Sequence, residues 1–193
     1  MKVSLATILD ELNIPCADID NPAEYPSFDW AKMFISTEPH PDPSYFYVAL
    51  LSEYTLYKKS HFYNHQLYCI CLKDCDFESG NEEVDSKMFL AEDDISLPEL
   101  FNRVQNVFIQ LNQWEQDMKD SVLADKGIQD LLDISEPILK NHVSVMDNTF
   151  ALIAHSRFRD CDDPVVVDLN DPPKMVHRST ISGFMTTSTL TLL

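Results

Sequence analysis

One stretch in the middle of the chain constrains the fold more than any other. Ser96-Leu97-Pro98-Glu99 reads as a capping box, in which the serine hydroxyl accepts the amide of Glu99 and the glutamate reaches back. Pro98 fits there because first-turn amides have no intrahelical partner. Apolar residues then recur as Leu97, Leu100, Val104, Val107, Leu111, Trp114 and Met118, in alternating steps of three and four. That spacing is the seam of a helix that buries one stripe, and it follows a heptad for three repeats. Phe101 and Phe108 make the stripe wider than a two-helix seam needs, which marks a helix that also faces its own domain. Two readings stay open: a core helix, or a helix paired with its copy in a homodimer, with Trp114 as the anchor.

The flanks of this helix have different periods. Ser4 caps a short helix carrying Leu5, Ile8, Leu9 and Leu12, which ends before Pro15. Residues 15–44 hold six of the eleven prolines, so only Trp30–Ser36 is left there for a strand or a helical turn. Tyr45–Leu51 is aromatic and aliphatic throughout and reads as a buried strand; Gln66–Leu72 is a second, and Lys87–Ala91 a shorter third. Ser52–Ser60 fits a short helix, and the polar Lys73–Asp85 a loop. Downstream, Ser121–Leu139 is a second helical segment with Gly127 as its weak point. His142–Asp147 and Phe150–His155 then form a hairpin about Asp147-Asn148-Thr149. The expected class is α/β (α+β): a sheet domain over 1–94, a helical connector over 95–139, and a segment over 140–193 that begins a further module.

Composition removes whole function classes. Fourteen Lys and Arg against 32 Asp and Glu give a net charge of −18. Phosphate binding needs a cationic face, so this chain is not expected to hold nucleic acid, nor an anionic membrane surface. The three glycines, Gly80, Gly127 and Gly183, lie too far apart for a Walker A loop, a GxGxxG turn or a GxSxG elbow. Met1–Asp10 is apolar only briefly, without the features of a signal peptide, and no run approaches a membrane span. Five cysteines in no regular framework suggest reduced thiols, hence a cytoplasmic location.

Four groups of residues have side chains of the types that carry chemistry. Cys69 and Cys71 would point to one face of a strand, with Cys75, His61 and His65 nearby. One intervening residue makes a poor chelate, so the pair is expected to be core and no metal is assigned. His155 with Asp147 and Ser156 has the residue types of a base and nucleophile, but no spacing that unites them. Asp160–Asp163 with Asp168, Asn170 and Asp171 lacks the glycine and glutamate of a calcium loop and is expected to be a solvated acidic loop. The aromatics Tyr45, Phe46, Tyr47, Phe62, Tyr63 and Tyr68 fit either core or the lining of a small-molecule pocket. No catalytic residues and no cofactor are assigned.

The succession SLPELFNRVQNVFIQLNQWEQDM, then IQDLLDISEPILKNHVSVMDNTFALIAHS, resembles the N-terminal region of PucR/CdaR-type bacterial transcriptional regulators. The likeness is clearest over 96–156 and looser over YFYVALLSE and QLYCICLKD. It implies a sensory part leading through a helix into a PAS- or GAF-like hairpin, with an unknown small molecule as the signal. The family's helix-turn-helix has no counterpart in these residues, so its DNA-reading positions are not carried over. The resemblance therefore implies a non-enzymatic sensory and dimerising segment, either a fragment or a truncated relative. The alternative is a stand-alone acidic domain that docks a basic protein partner.

Overall fold

The computed structural model describes residues 1–14, 25–36, 40–60, 67–75, 87–91, 95–149 and 151–156. Cys16, His61, Phe62, Tyr63, His65, Phe150 and the acidic residues of 160–171 with Cys161 lie outside the described residues. The chain divides into two compact units, Met1–Gln113 and Trp114–Leu193.

In the first unit, β1 (Val3–Ser4) pairs antiparallel with β2 (Ser27–Phe28). Ser4 then caps α1 (Leu5–Glu11): its hydroxyl accepts the Thr7 amide at 3.2 Å, and Leu5, Ile8 and Leu9 are buried. The main sheet follows as β3 (Trp30–Met33), β4 (Tyr45–Leu50), β5 (Cys69–Leu72) and β6 (Met88–Ala91). These four strands lie in chain order and pair in parallel throughout. Parallel neighbours need a return connection, and α2 (Leu51–Ser60) lies on the one from β4 to β5.

An all-parallel sheet must be covered on both faces, and the two central strands show why their sequence is apolar without alternation. Tyr47, Ala49, Cys69 and Cys71 point to one side, where they cluster with Phe34, Leu51, Tyr54, Tyr57 and Leu67. Phe46, Val48 and Ile70 point to the other, and all are fully buried. On that second side Phe28 packs against Phe46 and Tyr68, with ring centres 5.4 and 5.5 Å apart. On the first, Phe34 stands edge-on to Tyr47 and Tyr57 at 5.7 and 5.1 Å. Such aromatic pairs each add about 0.5–1.5 kcal/mol beyond the area they bury.

The long helix α3 (Leu97–Leu123) belongs to both units, because the division at Gln113 falls inside it. In the first half of α3, Phe108 packs on Trp30 of the sheet unit at 5.7 Å.

In the second unit the helical segment expected from Ser121 splits. Ser121–Leu123 complete α3, Asp125 takes a left-handed conformation (φ 53), and α4 runs from Ile128 to Leu139. The Asp125 and Lys126 amides close the end of α3 on the Val122 and Ser121 carbonyls, and Gly127 is the N-cap of α4. It sits before the first turn of α4, and its amide donates to the Asp130 carboxylate at 3.2 Å. Lys140 ends α4 in a left-handed conformation (φ 52), after Pro137 in the last turn. The chain then forms the antiparallel hairpin of β7 (Ser144–Met146) and β8 (Leu152–His155), with a register shift between Val145 and Met146.

Candidate functional site

The seven stripe residues of α3 are the sequence's most definite candidate, and most face inward. Leu100, Val104, Val107 and Leu111 are buried, whereas Leu97, Trp114 and Met118 are half-buried. Half of the expected cap forms: the Glu99 amide donates to Ser96 Oγ at 3.4 Å. The Glu99 carboxylate pairs instead with Arg103 one turn on, at 3.2 Å. Trp114 is engaged within the chain, its indole N–H donating to Ser135 Oγ of α4 at 3.2 Å. Ser135 in turn donates to the Leu131 carbonyl at 2.8 Å and lies 3.4 Å from Met118 Sδ. This arrangement is that of a helix buried in its own chain. The apolar side chains left exposed on α3 and α4 are Ile109, Val122, Leu123, Ile128 and Leu139. Val122, Leu123 and Ile128 flank the α3–α4 turn in the sequence.

The carboxyl end of a parallel sheet is where ligands of open α/β folds bind, and α2 begins there without a loop. Asp74, just past β5, closes that end: its two carboxylate oxygens accept the Ser52 amide at 3.0 Å and the Ser52 hydroxyl at 2.5 Å. Slight burial pushes the Asp74 carboxyl up, but the Ser52 hydroxyl and amide outweigh it and hold the group below the usual carboxylate range. The amide end of α2 therefore already holds an anion, its own. Of the six pocket aromatics, Phe46 and Tyr47 are fully buried against other rings, and Tyr45 packs at the edge of the cluster. Tyr68 is half-buried, with the Lys87 ammonium 5.3 Å above its ring.

Cys69 and Cys71 do share a face, with their sulfurs 3.6 Å apart and both side chains fully buried, while Cys75 is exposed. Among the described residues no three His, Cys, Asp or Glu side chains gather as a ligand set. No helix among them is long and apolar enough to cross a membrane.

At the hairpin the structure separates one candidate trio and assembles a different group. Asp147 lies at the turn, where its Oδ1 accepts the Thr149 hydroxyl at 2.7 Å and the amides of Thr149 and Ala151 at 2.8 and 2.9 Å. The Thr149 hydroxyl, with those amides, holds the carboxyl below its ordinary range. His155 and Ser156 lie at the opposite end of the strands. There Ser156 is buried, and its hydroxyl accepts the Val143 amide at 3.0 Å. The imidazole beside it is that of His142, whose Nδ1 is 3.5 Å from Ser156 Oγ and whose Nε2 is 2.7 Å from Ser144 Oγ. His142 and Ser144 were missed because their significance depends on the hairpin register, which the chain's spacing alone does not give.

Comparison with protein-family models, with curated proteins and with solved structures finds no match for this chain.

Proposed function

We propose that this chain is a non-enzymatic sensory and dimerisation module of a cytoplasmic transcriptional regulator, the kind its sequence resembles. The observation that supports this most is the continuity of α3 through Gln113 and Trp114, where one compact unit gives way to the next. One helix runs through both units, and the relay we propose is that a ligand biasing its packing in one unit biases it in the other. The signal is a small molecule taken up by the sheet unit. With the α3 stripe committed internally, the second copy of the chain docks on Val122, Leu123 and Ile128. The net charge of −18 leaves DNA reading to a separate domain or partner.

Amide exchange tests the relay. Phe108→Leu loosens the contact with Trp30, and the reading expects faster exchange in α4 as well as in β3 and the first half of α3. Faster exchange confined to Met1–Gln113 would contradict it.

A second reading, a stand-alone acidic interaction domain, draws on the same charge. It expects a monomer that binds a polycationic peptide in a salt-sensitive way.

A further inference from the structure

β5 places two thiols against each other in the middle of the main sheet. Cys69 and Cys71 stand at alternate positions of the strand, so both side chains leave the same face. Their sulfurs are 3.6 Å apart, and both residues are fully buried. Across the ladders Cys69 is level with Tyr47 and Met88, and Cys71 with Ala49 and Leu90. The rest of their cluster is aromatic or aliphatic, with the Met88 thioether at its margin. Two touching thiols are therefore the most readily oxidised groups of this core.

A disulfide asks for more than contact. Its Cα atoms lie about 4.4–6.8 Å apart, most often about 5.5–6 Å, and its sulfurs close to about 2.05 Å. An extended strand rises about 3.3 Å per residue, which sets Cys69 and Cys71 about 6.6 Å apart along β5. The dithiol fits the extended strand, and the disulfide fits a shortened one. The shortening falls on Ile70, which is level with Val48 on one side and Phe89 on the other. Its side chain is fully buried on the opposite face of the sheet. Closing the bond thus disturbs the pairing of β5 with both neighbours. A disulfide strained in this way is easily reduced, the property of a regulatory bond rather than a structural one.

We infer that Cys69 and Cys71 are a reversible two-electron redox site, a dithiol in the intact sheet that hydrogen peroxide closes to a disulfide, loosening β5 from β4 and β6. The sulfur of one cysteine attacks a peroxide oxygen, the O–O bond breaks, and water leaves with a sulfenic acid on that sulfur. The other sulfur displaces the hydroxyl, which departs as water with the second thiol proton. Two thiols and one peroxide give one disulfide and two waters. Full burial selects a small oxidant, which reaches the sulfurs in local openings of the sheet. The site depends on the geometry of β5 alone, so it stands or falls apart from the sensory reading.

Hydrogen peroxide added to the full chain, with dithiothreitol as the return step, tests it. Cys75→Ser, which removes the exposed thiol, is treated alongside wild type. Its mass should fall by two hydrogens, whereas each oxidised methionine adds an oxygen. Alkylation after denaturation should find Cys69 and Cys71 blocked until reductant is added. Amide protection of Tyr45–Leu50 and Met88–Ala91 should drop at least about tenfold in the oxidised chain, given the strain such a bond stores, and return with dithiothreitol. Cys71→Ala should abolish both effects. An absence of the bond at peroxide levels that oxidise Cys75 of the wild type would overturn the inference, as would a bond that needs Cys75 or joins two chains. So would a Cys69–Cys71 bond that leaves protection unchanged. The wild-type and Cys75→Ser readouts decide by themselves if Cys71→Ala does not fold.

Discussion

Asp147 and Asp74 are the residues whose ionisation the fold uses most directly. Both carboxyls are held below their ordinary range by hydroxyl and amide donors. Each therefore contributes stability above its unfolded value, about pH 4, and loses that contribution as the pH falls through the lower folded value. Asp147→Ala should destabilise the hairpin at neutral pH, and the difference from wild type should vanish in acid. Urea melts across that range read the effect; a difference independent of pH would separate the turn from the carboxylate. Ser4→Ala removes the hydroxyl that accepts the Thr7 amide and should cost about 0.5–2 kcal/mol in the same assay. The buried pair Cys69 and Cys71 should resist thiol reagent until the chain unfolds, whereas the exposed Cys75 should react at once. Peptide mapping of the labelled protein distinguishes the three. The Ser4 cap, the Asp147 turn and the shared face of the two cysteines were all legible from the residues, because each depends on neighbours only a few positions away. The Ser52–Asp74 and His142–Ser156 contacts were not, because they join residues that only strand pairing brings together.

Among the elements, α3 carries the sharpest test. Phe108 is fully buried on Trp30, so Phe108→Ala should cost about 3–5 kcal/mol, against about 2–5 kcal/mol for Leu100→Ala. Truncating Val107, Leu111 and Trp114 together should unfold the chain, whereas an interface role for these residues predicts a folded monomer instead. Trp114→Phe separates the parts further: it keeps a ring against α4 but loses the bond to Ser135, so it should lower stability by about 0.5–1.5 kcal/mol. The existence and type of the main helices and strands followed from period and capping, and so did the mixed α/β class. The ends of α3 and α4 did not. The apolar pattern continues through Ser121–Leu123, and only the break at Asp125–Gly127 decides which helix those residues join. Nor does spacing distinguish a stripe that meets a sheet from one that meets a second chain, because both ask for apolar residues three and four apart.

For the whole molecule, charge and assembly make the claims. With a net charge of −18, the chain should show no binding to duplex DNA by fluorescence anisotropy at physiological salt. Micromolar binding there would place a cationic face where the sequence supplies none. The parallel order of the sheet was beyond the sequence, since strand candidates carry no direction, yet that order puts the start of α2 and Asp74 at one end of the sheet. The central proposal is a dimeric relay built on α3, with Val122, Leu123 and Ile128, which are exposed, as the proposed docking residues of a second copy. Light scattering of the full chain at tens of micromolar tests it most directly. The account predicts twice the chain mass, falling to a folded monomer in Leu123→Asp; a wild-type monomer at that concentration would contradict it.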